Sequence, residues 1–404
     1  MRATTLPLAV TAYTATSALG LGLDAHLDAL IGQRSGLRAN DLGDTPLTCW
    51  IGRVDGLESA ALPDQYAQWD CRNNRLAWLG LTHDAFASKV DAARRRYGPT
   101  RTALLLGTST ASIGATEEGY RRLEDDSRLP ADLHRTAIHT PHSLTAFVAA
   151  ALNIDGPCLT ISTACSSSAK VLASAERLIR LGVVDAAVVG GVDSLCDSVL
   201  YGFNALELVS PEPCRPFDAC RRGISIGEAA AFALLERIGP DTTHAPRVLG
   251  CGESSDAHHM STPDPEGVGA ELALRDVLER TGIGVAQIDY INLHGTASQK
   301  NDAMEAALVA RRFPESTRVS STKGLTGHTL GAAGMIESVL TLLAMREGFV
   351  PGNAGTATPD PACSAHFAWC NEARAIRIAL SHSFGFGGSN ACLAFAHAAT
   401  GIGA

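Results

Sequence analysis

Cys165 stands in TACSSS (163–168), one thiol among five small residues, four of them hydroxylic. A cysteine becomes a nucleophile as its thiolate, and the free N–H groups at a helix start favour that form. Small neighbours would keep the sulfur reachable and let a substrate approach it closely. The other reading is a buried structural thiol. Two runs in the second half decide between these readings. LHGTAS (293–298) carries His294, and STKGLTGHTLGAAG (321–334) carries Lys323 and His328. A lone histidine is more often structural than catalytic, but both runs are Gly-rich turns at the end of an apolar run. A cysteine with two imidazoles can accept an acyl group and stabilise developing negative charge. A fourth run, SFGFGGSN (383–390), holds three glycines suited to positive φ and close approach, and two phenylalanines able to swing as a gate.

These residues need elements to hold them. The runs 102–107, 158–163 and 185–191 read as buried strands, and 169–182 between the last two reads as a helix stopped by Gly182. The second half repeats the rhythm, with strands at 289–295, 319–323 and 376–383 and a helix over 334–348. Strand, small-residue turn, helix and strand therefore occur once in each half. The pattern predicts an α/β protein of two similar halves, with its chemistry at the strand ends. The interruption at 240–246 divides the chain into 1–240, with the nucleophile, and 241–404, with the histidines, the lysine and the gating loop.

Composition narrows the class. The chain has 404 residues, 46% hydrophobic and 19% charged, which suits a globular protein with a large core. Its formal charge of −9 argues against nonspecific nucleic-acid binding. No segment reads as a membrane span or a secretory signal. The 11 cysteines include no CxxC pair, so they read as reduced thiols in a cytoplasmic protein. His258 and His259 are neighbours in SSDAHHM beside Asp256, and adjacent side chains point to different faces. No metal is expected in catalysis.

With these runs in order, the sequence resembles a β-ketoacyl-acyl carrier protein synthase of the type I/II condensing-enzyme family. The likeness rests on LIGQRSGLR (30–38), TACSSS, RPFDACRRG (215–223), SSDAHHMSTPDP (254–265), HGTAS, SSTKGLTGHTLGAAG and SFGFGGSN. It implies the thiolase-like fold, two similar halves in α-β-α-β-α layers, acting as a dimer. It also implies a decarboxylative condensation. Cys165 takes an acyl group from the phosphopantetheine arm of an acyl carrier protein. His294 and His328 stabilise the enolate as malonyl loses CO₂, and the carbanion attacks the acyl-cysteine. By the same resemblance the amides of Cys165 and Phe386 form the oxyanion hole, and Lys323 pairs with Glu337 to organise the histidines. Thr296 and Ser298 meet the pantetheine arm, Phe384 and Phe386 belong to the gate, and Thr110 lines the acyl pocket. No bound cofactor is implied.

Departures mark this chain within the resemblance. HGTASQ places Ser298 and Gln299 where the family has threonine and proline. The run NDAMEA (301–306) is similar to synthases of aryl-polyene pathways, which implies an unsaturated or aryl-primed chain. Fatty-acid, polyene and polyketide extension stay open. So does a homodimer against a heterodimer with a chain-length-factor-like subunit. PDQYAQWD (63–70) lacks the basic residues that often meet an acidic carrier, so docking is expected on other arginines such as Arg72 and Arg75 or on a partner. VDAARRRYG (90–98) reads as a solvated helix end. A thiolase uses a second-half cysteine as base, whereas the second-half turns here offer two histidines and a lysine; a non-catalytic chain-length subunit usually lacks the nucleophile, and Cys165 is present.

Overall fold

The computed structural model describes residues 5–43, 46–123 and 128–400. Among the described residues, the path of the large sheet takes five strands from before residue 240: β1 (Leu8–Ser17), β2 (Thr102–Gly107), β3 (Cys158–Ile161), β4 (Ala186–Asp193) and β5 (Ala229–Arg237). Five follow it: β6 (Arg247–Ser255), β7 (Tyr290–Asn292), β8 (Arg318–Ser320), β9 (Ile378–Gly385) and β10 (Ser389–Ala396). The first set lies in the order β3-β2-β4-β5-β1 and the second in the order β8-β7-β9-β10-β6. Renumbered within each half, both orders read 3-2-4-5-1. The directions agree as well. The pairings toward the outer ends of the sheet, β2–β3, β2–β4, β7–β8 and β7–β9, are parallel, and the remaining pairs within each half are antiparallel. The halves join edge to edge where Leu8 and Ala9 of β1 pair with Val248 and Arg247 of β6.

Helices α1 (Ser167–Arg180) and α4 (Ala333–Glu347) occupy equivalent places, each following the third strand of its half. Their side chains share one core with β2, β4, β5, β9 and β10, so the pair fills the space between the sheets. Every residue of α4 from Ala333 to Met345 is buried, including the polar Glu337, Ser338 and Thr341, because other elements enclose the helix on all sides. Outer helices complete the layers. Those at 72–81, 86–97 and 143–152 cover the first half, and those at 268–281 and 299–312 cover the second. The result is the thiolase-like α-β-α-β-α arrangement. Gly182 and Gly348 end the central helices with φ of 70° and 71°, a conformation glycine adopts without strain.

Three strands stop short of their expected ends. β3 ends at Ile161, β7 at Asn292 and β8 at Ser320, and Lys323 opens a short helix, α3 (Lys323–Thr326). In each case the residues beyond have left the ladder to make the turns that carry the chemistry. Among the described residues no helix is long and apolar enough to cross a membrane.

Candidate active site

The turn between β3 and α1 is tight. Ala164 takes φ of 52°, an unfavourable conformation for a residue with a Cβ. It is held because Ser167 Oγ accepts from Thr163 N at 2.9 Å and donates to Ala164 O at 2.6 Å. The serines after Cys165 do not open a path to the sulfur, contrary to the expectation from their size. Ser166, Ser167 and Ser168 are fully buried and serve packing. A Cβ added at Gly107 would stand 2.4 Å from Ser168 N, and one at Gly334 would stand 2.7 Å from Ala169 N. Small residues here let β2, α1 and α4 meet at backbone contact.

The thiol itself is 4% exposed. Burial pushes it up to about 11, against the opposing pull of the Lys323 charge and of the Phe386 and Cys165 amides. This runs against the thiolate expected at a helix start. Cys165 lies ahead of the first helical residue, and in a dry site desolvation outweighs the helix-end field.

Two imidazoles from the other half close on this sulfur. His328 Nε2 lies 3.0 Å from Cys165 Sγ. The rings of His294 and His328 meet edge to face with centroids 5.4 Å apart. Lys323 Nζ donates to the His294 carbonyl at 2.5 Å, approaches His294 Nδ1 at 3.4 Å and forms a short ion pair with Glu337. An ammonium offers only hydrogens, so His294 Nδ1 accepts and its Nε2 carries the proton. Both imidazoles are held well below the ordinary histidine range, first by burial and then by the Lys323 charge. Burial lifts the Glu337 carboxyl above its usual range while Lys323 pulls it back. The site therefore holds a neutral thiol and two neutral imidazoles beside one buried ion pair.

Two carboxylates fix the turns, and the motif reading passed over both. Glu305, on α2 (Gln299–Arg312), accepts from His294 N and Gly295 N, each at 2.8 Å, and from His382 Nδ1 at 3.0 Å. It belongs to the NDAMEA run, read for subfamily alone. Asp193, at the end of β4, accepts from the Ser109 and Thr110 amides and, across the halves, from Gly331 N at 2.6 Å.

A cavity of about 370 Å³ leads outward from Cys165, His294 and His328. Thr296 and Ser298 line it, their hydroxyls 2.9 Å apart, and Phe384 and Phe386 form part of its wall. Phe384 packs on His294 at 5.8 Å, and Phe386 packs on Phe203 at 5.4 Å. Thr110 stands apart from these residues. It is buried outside the cavity lining with its hydroxyl donated to Asp193 at 2.7 Å, so its place is in the scaffold.

Residues 80–239 match the family described as beta-ketoacyl synthase, N-terminal domain, and residues 246–357 match beta-ketoacyl synthase, C-terminal domain. Nodulation protein E of Rhizobium meliloti (strain 1021) is 34% identical over 309 residues, covering 74% of this chain and 75% of that protein. The chain belongs to the beta-ketoacyl synthase family. It is a condensing acyltransferase of the 3-oxoacyl-[acyl-carrier-protein] synthase type. The mitochondrial 3-oxoacyl-[acyl-carrier-protein] synthase of Arabidopsis thaliana is 37% identical over 264 residues, 60% of this chain and 56% of that one. Among solved structures, the ketosynthase ApeO in complex with its chain length factor ApeC from Xenorhabdus doucetiae superposes with TM-score 0.88 at 38% identity, covering 97% of this chain and 98% of that one. The ishigamide ketosynthase/chain length factor superposes with TM-score 0.85 at 26% identity, covering 97% and 99%.

One expectation about this synthase's surface changes. Arg72 is tied to Glu228 and Glu58, and Arg75 to Asp70 at 2.6 Å, so neither offers an open cation to a carrier. Lys300 is exposed at the cavity mouth instead, beside Arg222, which is exposed but pairs with Glu212 at 3.4 Å. The 90–98 arginines are engaged with Asp91 and Glu236. His258 faces Asp264 at 3.7 Å, and His259 Nδ1 accepts from Ser261 N at 3.2 Å, so Asp256 gathers no ligand set with them.

Proposed function

We propose that this synthase extends an unsaturated or aryl-primed chain held on the phosphopantetheine arm of an acyl carrier protein. The observation that carries the reading is the 3.0 Å contact between Cys165 Sγ and His328 Nε2, with His294 facing both from a Lys323-fixed turn. In the first half-reaction Cys165 attacks the acyl thioester. Its proton passes to His328 Nε2 and then to the departing pantetheine thiolate. The amides of Cys165 and Phe386 hold the oxyanion, a role supported by their pull on the sulfur. In the second, malonyl thioester enters with its carbonyl toward His294 and His328. The Nε2 proton of His294 supports the enolate as CO₂ leaves; the carbanion attacks the acyl-cysteine, the carbon–sulfur bond breaks to free the 3-oxoacyl product, and the Cys165 thiolate so expelled takes a proton from solvent. Lys323 and Glu337 position the imidazoles, and no cofactor takes part. Thr296 and Ser298 hydrogen-bond the pantetheine amides, while Arg222 and Lys300 at the mouth suit its phosphodiester.

The 38% identity to a ketosynthase solved with a chain length factor favours a heterodimer with a chain-length-factor-like subunit over a homodimer. The NDAMEA run favours the polyene reading over primary fatty-acid synthesis. The test incubates the synthase with a panel of acyl-carrier substrates and weighs the intact protein. Acyl adducts on wild type but not on Cys165→Ala, followed by release of CO₂ and 3-oxoacyl product only with malonyl-carrier, support the condensation. Preference for saturated over polyenoyl and aryl chains would reject the proposed substrate class. Mass measurement of the purified assembly separates the two dimers.

A further inference from the structure

Among the described residues, one group of three side chains brings metal-ligating atoms close enough to share an ion: Cys165, His294 and His328, with donors all within 4.8 Å of one another. A tetrahedral Zn²⁺ takes sulfur at about 2.3 Å and nitrogen at about 2.0 Å, which sets its ligands roughly 3.5 Å apart. The Sγ–Nε2 pair at 3.0 Å needs to open slightly, and the remaining separations, none above 4.8 Å, need to close by about 1.3 Å at most. Nδ1 of His294 is turned to Lys323, which leaves Nε2 as its ligand atom. A fourth position faces the cavity.

We infer that the unacylated synthase captures a soft divalent cation such as Zn²⁺ between Cys165, His294 and His328, with a cavity water as fourth ligand, and is reversibly shut off by it. The step balances. The Cys165 S–H breaks, a sulfur–metal bond forms and one proton leaves to solvent. His294 keeps a single proton, which moves from Nε2 to Nδ1 as Lys323 turns its N–H away. No oxidant or reductant is needed. An acylated sulfur has no charge to give, so the acyl-enzyme is immune, and capture senses whether the enzyme is loaded.

Lys323 opposes capture. Its charge stands a few ångströms from the ion, and its N–H holds His294 in the tautomer that places a proton where the metal would bind. This buried repulsion weakens the site at least tenfold. The lysine thus has a second consequence besides ordering the histidines, because it keeps an inherently metallophilic trio available for substrate.

Oxygen-free titration of the synthase with Co²⁺ reads this directly, independently of turnover. The expected result is one Co²⁺ per chain, with a thiolate-to-cobalt charge-transfer band in the near ultraviolet and intense tetrahedral ligand-field bands in the visible, both displaced by Zn²⁺ and erased by EDTA. Cys165→Ser, or prior alkylation with iodoacetamide, should remove the charge-transfer band. His294→Gln and His328→Gln should each abolish the tetrahedral bands. Lys323→Gln should tighten Co²⁺ at least tenfold. Zn²⁺ should slow acylation of the free enzyme, with recovery on EDTA, and leave preformed acyl-enzyme unaffected. Exposed Cys220 and Cys370 are replaced by serine throughout so that they contribute no signal. Absence of the charge-transfer band at millimolar Co²⁺, or its survival in folded Cys165→Ser, overturns the inference. The condensation reading would stand in either case.

Discussion

Glu305→Gln removes one charge and changes one atom's hydrogen-bonding sense while keeping the side chain's shape, so it isolates what the carboxylate does. Four donors converge on it. His294 N (2.8 Å) and His382 Nδ1 (3.0 Å) meet Oε1, and Gly295 N (2.8 Å) and Asn301 Nδ2 (3.4 Å) meet Oε2. A glutamine presents one oxygen and one NH₂. Whichever way the amide turns, a backbone N–H of the His294 turn faces another donor in a site closed to solvent. A hydrogen bond to a charged acceptor contributes about 1.5–3 kcal/mol, and the stranded donor costs about 1–3 kcal/mol more, so a loss of about 3–5 kcal/mol is expected. Part of that loss is relieved by moving the turn, which drags His294 away from Cys165 and its Nδ1 away from Lys323.

Stability and chemistry should therefore fall together. Urea unfolding of Glu305→Gln is expected to show a reduction of about 3–5 kcal/mol at unchanged m-value. Malonyl-carrier decarboxylation, followed as CO₂ release, should drop about 10²-fold, in line with loss of one preorganised donor. Acylation of Cys165 should suffer less, since that step uses His328. A folded Glu305→Gln within about 1 kcal/mol of wild type, decarboxylating at the normal rate, would refute the clamp. Equal loss in both half-reactions would refute its assignment to His294.

Three further outcomes are expected. Cys165→Gln should abolish acyl transfer yet keep malonyl decarboxylation, because the carboxamide mimics the acylated side chain; loss of both activities in the folded variant would contradict the separation of roles. His328→Ala should lower decarboxylation about 10²–10³-fold, and near-normal CO₂ release would remove it from that step. Iodoacetamide alkylation of Cys165 should accelerate about tenfold per pH unit from pH 8 to pH 10 without levelling, because burial places the thiol up at about 11. A plateau near pH 7 would reinstate a thiolate poised by the helix end.

What the sequence disclosed and what it hid have separate physical origins. TALLLG announces a strand because it is apolar throughout, and β2 occupies those residues, Thr102–Gly107. The central helices end at glycines that their sequences mark. The TACSSS, HGTAS and STKGLTGH turns were legible because unusual residues sit where apolar runs stop. Contacts made across the chain were hidden. Nothing near Arg72 shows that Glu228 will claim it across 156 positions, or that Gly331 will bind Asp193 across 138. The thiol's protonation was misjudged for a related reason. A helix start is a local feature, whereas desolvation is supplied by every element that packs around the sulfur.

The repeated 3-2-4-5-1 order explains why the site divides its chemistry between the halves. β3 and β8 are equivalent third strands, each feeding a turn and then a central helix. Cys165 lies on one such turn, with Lys323 and His328 on the other. α1 and α4 pack so closely at Ala169 and Gly334 that the two turns are forced together, which sets His328 Nε2 on the sulfur. β2 and β7 are equivalent second strands, and their turns have diverged. In the first half Asp193 gathers Thr108, Ser109 and Thr110 into a wall in which Thr108 and Thr110 are buried and Ser109 is exposed. In the second half Glu305 gathers the His294 and Gly295 amides and leaves the imidazole facing the cavity. One carboxylate per half thus fixes the backbone of its turn, and the side chains left over decide whether that turn is wall or catalyst. Two hydroxylated turns that look alike, GTSTAS and HGTAS, part ways because a histidine precedes the glycine in only one of them. That histidine is also the residue Lys323 can reach.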